Sequence, residues 1–466
     1  MLFSSIPFLY YFLPIVLILY FLVPQKGKNL VLLLSSLFFY GWGESKYVIL
    51  MLAVVGCGYV LGILIEKYRP QKTGKCFLGL AVLIDLCILG YFKYADFFIE
   101  NFNKLTGLQM PLLKIALPIG ISFFIFQILS YDIDVYRGNV MAQKNPLLLA
   151  TYVAMFPQLI AGPIVRYIDV EKQLRDREHS INLVAEGIRR FLFGLAKKVL
   201  IANALGECSA VFKDSSDKSI LFFWIYAVAF MLHIYFDFSG YSDMAIGLGK
   251  IFGFHFMENF NYPYISNSIT EFWRRWHISL GTWFRDYVYI PLGGNRVSKG
   301  RWIFNIIVVW FLTGFWHGAA WNFILWGLYF VFFLIIEKYI LMSYLKRARL
   351  WNHIYVLFFV MVSFIIFDAS SLQEALRNIT GLFGIGTKGL ISAESIYYLK
   401  NYAFIFVIAI IGATPLPRKL YERVMNSPLG KKVVFVAEPV IMVLFLIIIT
   451  AFLVDGSFNP FLYFRF

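Results

Sequence analysis

Residues 220–236 read ILFFWIYAVAFMLHIYF, a run without any Lys, Arg, Asp or Glu. A helix needs about 20 predominantly apolar residues to cross the hydrocarbon core of a bilayer. Comparable apolar runs recur on both sides of this one, from residues 7–23 near the N-terminus to residues 433–454 near the C-terminus. The pattern predicts an all-α polytopic membrane protein with about 11–12 transmembrane helices.

The composition of the 466 residues excludes a soluble globular protein. Hydrophobic residues make up 60% of the chain and charged residues 15%. The charged share is about 10 points below that of an ordinary soluble domain, which leaves too few polar residues to cover soluble surfaces. Disorder and coiled coil are excluded by the same apolar composition. Because no linker or repeat interrupts the pattern, we expect one membrane domain over residues 1–466.

The charge pattern predicts an orientation in the membrane. Lys and Arg number 42 against 27 Asp and Glu, and no basic run is interleaved with a nucleic-acid reader motif, so we expect no nucleic-acid partner. Basic residues mark cytoplasmic loops. The basic loops at residues 26–28, 66–75, 274–301, 346–349 and 418–432 share one side if the N-terminus is extracytoplasmic. Residues 1–20 lack a basic n-region and a cleavage site, which predicts a retained first span.

Two segments depart from the simple spanning pattern. Residues 152–166 are apolar but contain Pro157, Gly162 and Pro163, which break helices and free backbone polar groups. Such backbone is tolerated at membrane depth only where protein surrounds it, so we predict a re-entrant element, with an interfacial loop as the alternative. In residues 261–301, the capping pattern Ser268–Glu271 predicts the start of an amphipathic interfacial helix. Its aromatic face would include His277 at the edge.

Among the candidate chemical groups, His317 is the most informative. It stands between apolar runs and is flanked by Gly314 and Gly318. An ionisable side chain at membrane depth should face a cavity or a partner, and histidine suits acid and base chemistry near neutral pH. A structural histidine bonded to a carbonyl is the alternative. The i, i+4 spacing of His233 and Asp237 also allows a polar pair on one helix face.

Several other site classes are not indicated by the sequence. The four cysteines form no CxxC pair and stand near no histidine at metal-ligand spacing, so we expect no metal and no bound cofactor. The sequence also lacks the Gly-x-Ser-x-Gly pattern of hydrolases, a P-loop and HExxH.

The motifs at the centre of the chain resemble those of the membrane-bound O-acyltransferase (MBOAT) family, in particular its bacterial alginate O-acetyltransferase branch. The core of the resemblance covers about residues 152–325. The matching segments are FPQLIAGPI (156–164), YFDFSGYSDMAIG (235–247), NFNYPY (259–264), EFWRRWHISL (271–280), WFRDYVYIPLGGNR (283–296), WHG (316–318) and FLYFRF (461–466).

The resemblance implies an O-acetyltransferase of the bacterial cytoplasmic membrane. A funnel through the membrane would receive an acyl thioester, acetyl-CoA, from the cytoplasm and an acceptor from outside. His317 matches the family's catalytic histidine and would act as general base, and His277 matches its second characteristic polar position. The implied acceptor is a surface polysaccharide. A separate extracytoplasmic SGNH-type acetyltransferase or relay protein, with a Ser-His-Asp site, is the implied partner.

Two alternatives remain open from the sequence. One keeps the fold and changes the donor, with D-alanyl transfer from a carrier protein to teichoic acid. The other is a transporter or flippase, since broken elements and intramembrane charges also occur in transporters.

Overall fold

The helix is the regular secondary structure of the part of the chain that the computed structural model describes, which comprises residues 1–348, 350–456 and 461. These residues include no β-strand, and the predicted all-α class is confirmed. The chain packs as two compact units. Unit 1 contains Met1–Phe191 and Met244–Met257, and unit 2 contains Leu192–Asp243 and Glu258–Phe466. The single domain over residues 1–466 stays a prediction.

Unit 1 is built from helices of 4 to 22 residues. In chain order they are α1 (Leu13–Leu22), α2 (Lys28–Glu44), α3 (Tyr47–Tyr68), α4 (Lys72–Leu89), α5 (Ala95–Thr106), α6 (Ile121–Arg137), α7 (Pro146–Ala154), α8 (Phe156–Leu159), α9 (Tyr167–Arg175) and α10 (Ile181–Ala196). The last helix contributes residues to both units. π-helical turns at Pro7–Phe12 and Gly90–Tyr94 and a 3₁₀ turn at Gln25–Gly27 join some of them.

Unit 2 contains the remaining helices, which are α11 (Asn203–Asp214), α12 (Ile220–Ile251), α13 (Ile269–Arg275), α14 (Ile278–Phe284), α15 (Lys299–His317), α16 (Trp321–Ile336), α17 (Met342–Leu345), α18 (Trp351–Asp368), α19 (Leu372–Gly381), α20 (Ala393–Gly412), α21 (Leu416–Met425) and α22 (Pro428–Asp455). The end of α12 lies in unit 1. π-helical turns at Lys197–Ala202, Arg285–Tyr289 and Glu337–Leu341 and a 3₁₀ turn at Pro263–Ile265 complete the unit.

Seven helical stretches of the described residues are long and apolar enough to cross a membrane. They are Tyr47–Tyr68, Lys72–Thr106, Ile220–Ile251, Trp321–Leu345, Trp351–Asp368, Ala393–Gly412 and Pro428–Asp455. The apolar runs of the sequence outnumber these stretches because several runs form shorter helices. For example, residues 115–130 enter α6 only at Ile121, after Gly120 has adopted a left-handed φ of 77°. The count of 11–12 therefore exceeds the number of helices that meet this length and composition.

The segment 152–166 is broken, as its prolines and glycine predicted, and it is buried in unit 1. Helix α7 ends at Ala154, and the four-residue α8 follows. The backbone groups that this break releases find partners inside the protein. The Phe156 N–H donates to the Ser36 hydroxyl at 3.0 Å, and the Tyr152 hydroxyl donates to the Val165 carbonyl at 3.0 Å. This is the pattern required of irregular backbone in a membrane protein.

Helices α15 and α16 of unit 2 approach each other through glycines. A Cβ atom on Gly314 would lie 2.3 Å from the Phe323 carbonyl oxygen, and one on Gly327 would lie 2.3 Å from the Trp310 carbonyl oxygen. Only residues without a side chain permit this backbone contact. The close contact holds the C-terminal turn of α15, which ends at His317, against α16.

Candidate active site

The site in unit 2 begins with the two short helices α13 and α14. The Ser268 hydroxyl accepts from the Glu271 N–H at 3.0 Å, so the predicted cap is confirmed. The single amphipathic helix is a wrong prediction, because the chain breaks at His277. This residue has φ 45° and ψ 54°, in the left-handed region, and α14 starts at the next residue. His277 lies at the junction of two helices and not on the edge of a continuous aromatic face.

His277 is buried, with 2% of its surface exposed. Its Nδ1 atom lies 3.1 Å from Asn259 Oδ1, and its ring meets the ring of Phe238 edge-on at 4.7 Å. Burial lowers the pKa of His277 to about 3, because the charged imidazolium loses its hydration. The imidazole is therefore neutral across the physiological pH range.

A cavity of about 490 Å³ lies beside His277 within unit 2. One face of α15 forms part of its wall through Ile306, Val309, Trp310 and Thr313, which follow helical spacing. Other lining residues are Thr270, Trp273, Arg274, His277, Ile278, Leu280, Gly281, Thr282, Phe284, Arg285, Tyr289 and Leu334. The walls are mostly apolar, with two guanidinium groups and several hydroxyls among them, which is typical of small-molecule sites.

His317 is the last residue of α15, four residues after Thr313, so it continues the helix face that lines the cavity. It is 8% exposed. Its ring is surrounded by aromatic rings, with centroids at 5.0 Å for Trp326 and 5.4 Å for Phe367, both edge-on. A Cβ on the following Gly318 would lie 2.2 Å from the Phe323 ring. The flanking glycines thus admit α16 close to the histidine.

Trp316 connects the two histidines. Its ring centroid lies 6.1 Å from that of His277 and 4.9 Å from that of His317. The cavity wall includes His277 but not His317. The structure therefore brings the two predicted site residues to the same indole, and it places only one of them directly on the cavity.

Glu337 is a functional candidate that the sequence did not single out. Its carboxylate is fully buried at the start of the π-helical turn after α16. It accepts hydrogen bonds from the Ile269 N–H at 2.5 Å, from the Thr270 N–H at 2.8 Å and from the Thr270 hydroxyl at 2.6 Å. A carboxylate at a helix N-terminus accepts hydrogen bonds from free N–H groups, and its negative charge is attracted to the positive end of the helix dipole. Glu337 thereby fixes α13, the helix that leads to His277.

The carboxylates of the 235–247 motif are engaged by lysines of unit 2. Lys198 Nζ lies 2.5 Å from Asp237 Oδ1, and both side chains are buried. Lys197 Nζ lies 2.6 Å from Asp243 Oδ2. Asp237 thus has a lysine partner, and the polar pair of Asp237 with His233 stays a prediction. Of the C-terminal motif 461–466, only Phe461 is described, with its ring 4.5 Å from Lys198 Nζ; residues 462–466 lie outside the described part.

Comparison with known proteins agrees with this architecture. The profile of the MBOAT, membrane-bound O-acyltransferase family matches residues 141–374. The probable alginate O-acetylase of Azotobacter vinelandii is 45% identical and aligns over 83% of this chain and 79% of its own length. The peptidoglycan O-acetyltransferase of Helicobacter pylori is 34% identical, over 86% and 84%. The teichoic acid D-alanyltransferase of Bacillus subtilis is 32% identical, over 45% and 56%. The chain therefore belongs to the membrane-bound O-acyltransferase family.

Proposed function

We propose that this membrane O-acyltransferase transfers acetyl groups from cytoplasmic acetyl-CoA toward hydroxyl groups of a cell-surface polysaccharide. Two relatives that align over 83% and 86% of this chain carry the names probable alginate O-acetylase and peptidoglycan O-acetyltransferase, and both names describe O-acetylation of a polysaccharide. The D-alanyl alternative has weaker support, because the teichoic acid enzyme aligns with only 45% of this chain.

The structural observation that carries the proposal is the position of His317. It lies at the buried end of the α15 face that lines the cavity. His317 acts as general base and takes the proton of the acceptor hydroxyl as its oxygen attacks the thioester carbonyl carbon. The C–O bond forms, the C–S bond breaks, and the proton passes to the departing thiolate. The surrounding aromatic rings limit access of water, which would hydrolyse the thioester.

His277 has a different role in this proposal. Because burial keeps its pKa far below neutral, it is a poor proton acceptor at pH 7. It remains able to accept a hydrogen bond from a substrate in the cavity that it lines. His317 moves the proton, and His277 orients the substrate.

The remaining parts of the proposal concern location and partner. The basic loops favour a multi-pass protein of the bacterial cytoplasmic membrane with an extracytoplasmic N-terminus. We expect an extracytoplasmic SGNH-type acetyltransferase or relay protein to pass the acetyl group to the polysaccharide, as the resemblance to the alginate O-acetyltransferase branch implies. Deletion of such a partner should abolish acetylation while the membrane protein persists.

The test is to measure base-labile acetate on purified surface polysaccharide from cells that carry the native chain or His317→Ala. Membrane levels are matched by immunoblot. His255→Ala is the control, because this histidine is exposed and is not one of the residues that line the cavity. Loss of acetate in His317→Ala alone supports the proposal. Equal acetate in both variants contradicts it, and base-labile D-alanine in place of acetate favours the teichoic acid alternative.

A further inference from the structure

The two ring nitrogens of His277 have different surroundings. Nδ1 lies 3.1 Å from Asn259 Oδ1. Nε2 is buried and has no hydrogen-bond partner among the described residues. A neutral imidazole carries its proton on only one of these nitrogens, so the partner of Nδ1 determines which nitrogen keeps a free lone pair.

Backbone geometry identifies the Asn259 atom that faces the histidine. The Ser279 N–H points at this atom from 3.2 Å, and the Ser279 hydroxyl lies 2.9 Å from it. A backbone N–H can only donate, so the atom that receives it must be the amide oxygen and not the amide nitrogen. An amide oxygen has no hydrogen to donate, so its 3.1 Å contact with His277 requires a hydrogen on Nδ1. The Ser279 hydroxyl also lies 3.4 Å from Nδ1, but it donates to the Asn259 oxygen at the shorter distance of 2.9 Å. The Nδ1 atom therefore carries the hydrogen, and Nε2 carries the lone pair.

We propose that Asn259 is a positioning residue that holds His277 in the Nδ1–H tautomer, so that Nε2 accepts a hydrogen bond from an O–H or N–H group of the bound substrate. The inference rests on the proposed function for the identity of that substrate. The tautomer itself follows from the contacts among Asn259, Ser279 and His277.

The backbone around Asn259 makes this arrangement rigid. The Asn259 carbonyl accepts from the Ile278 N–H at 3.0 Å, and the Asn261 N–H donates to the Arg275 carbonyl at 2.9 Å. Asn259 thus binds the residue after His277 through its backbone and His277 itself through its side chain. These contacts hold His277 in its left-handed conformation, a strained geometry that is frequent at functional sites.

As a consequence, His277 and other residues of the site must bind different groups of the substrate. An imidazole with a free Nε2 lone pair accepts from hydroxyl or amide groups and cannot donate to a carbonyl from that atom. His277 would therefore select a donor group, such as the acceptor hydroxyl or an amide of the acyl carrier. The thioester carbonyl, which offers only an acceptor, would have to be bound elsewhere.

The tautomer can be measured directly by ¹⁵N NMR on the full-length protein in detergent or lipid, labelled at its 6 histidines. The difference spectrum against His277→Asn assigns the two His277 nitrogens. The native protein should show a protonated Nδ1 and an unprotonated Nε2 for this residue. A protonated Nε2 with an unprotonated Nδ1 would overturn the proposal, whatever the activity of the protein.

Variants of the two partners separate positioning from folding. Asn259→Leu removes the acceptor, and we expect mixed tautomers and about 10–100-fold less ester acetate at matched membrane levels, as for loss of an orienting partner. Asn259→Asp keeps an acceptor oxygen and should keep the Nδ1–H tautomer. Ser279→Ala keeps the backbone N–H and should also keep it. A native tautomer in Asn259→Leu contradicts the role of Asn259.

The acceptor role of Nε2 has its own test. If Asn259→Leu mixes the tautomers but both it and His277→Asn retain native acetate, His277 does not bind the substrate and that part of the proposal is wrong. If instead His317→Ala retains acetate, the proposed function fails while the tautomer measurement is unaffected. The two failures are therefore distinguishable.

Discussion

Replacement of Gly314 by alanine tests whether the contact between α15 and α16 determines the position of His317. The new Cβ would lie 2.3 Å from the Phe323 carbonyl oxygen, whereas real Cβ contacts essentially never fall below 3.0 Å. The two backbones must therefore separate by at least about 0.7 Å at this level. Both atoms are rigidly attached to helix backbone, so no side-chain rotation relieves the clash.

This displacement acts close to the catalytic candidate. His317 lies three residues beyond Gly314, or about 4.5 Å along the helix axis, so the shift reaches it almost undiminished. Overpacking of this kind costs about 1–3 kcal/mol of stability. A misplacement of about 1 Å at a reacting group costs roughly 100-fold in rate. We expect Gly314→Ala to fold and to lower acetate transfer by about 10-fold or more.

The assay is ester acetate per unit of surface polysaccharide at matched membrane levels, together with the thermal midpoint of the purified protein. Gly300→Ala is the control, since Gly300 lies on the same helix with nothing within 4 Å of an added Cβ. Alanine should be neutral or slightly stabilising there. Native acetate transfer in Gly314→Ala would refute the idea that this contact positions His317.

Three further predictions concern stability and pH. The pKa of His277 is about 3 in the folded protein, below the value of about 6.5 in the unfolded chain. As the pH falls, the unfolded chain binds a proton that the folded protein does not, so the free energy of unfolding decreases by about 1.4 kcal/mol between pH 8 and 5.5. His277→Asn should flatten the decline of the thermal midpoint over that range, and an unchanged decline would contradict the burial argument. Glu337→Gln replaces the carboxylate that accepts from two N–H groups of α13 with an amide, and it should lower the free energy of unfolding by about 1–3 kcal/mol. The exposed Glu422→Gln should lower it by less than about 1 kcal/mol. Equal thermal midpoints for the two variants would be evidence against anchoring by Glu337. Lys198→Met leaves the Asp237 carboxylate buried without its lysine and should cost about 3–5 kcal/mol, while the double replacement with Asp237→Leu should recover most of the loss; a single variant as stable as the double would contradict this.

The fold class could be predicted because it depends on local composition. Each apolar run carries its own signal, and backbone groups inside a membrane must be satisfied within a helix. The Ser268 cap could be predicted for the same reason, since its partner lies three residues away. The break at His277 could not. The aromatic periodicity continues through it, and the contacts that bend the chain come from Asn259, 18 residues earlier.

Of the residues in the candidate site, the sequence indicated some and missed others. His317 stood out because an ionisable residue between apolar runs is rare and costly. Glu337 gave no such signal, because it follows an apolar run next to Lys338 and resembles a residue at the end of a span. Its partners lie 67 and 68 residues away in the chain. Periodicity and spacing carry no information about contacts at that separation, so only the folded structure reveals them.

The left-handed backbone of His277 restricts which substitutions at this position can be interpreted. At a φ of 45°, asparagine, aspartate and glycine fit with little strain, whereas valine, isoleucine and other bulky residues do not. If every amino acid were tested at position 277, the activities of the variants would depend first on whether each residue tolerates a positive φ. Only variants that tolerate it would report on the chemistry of the imidazole. Inactivity of a β-branched variant would carry no information about catalysis, and the asparagine variant is the informative comparison with histidine.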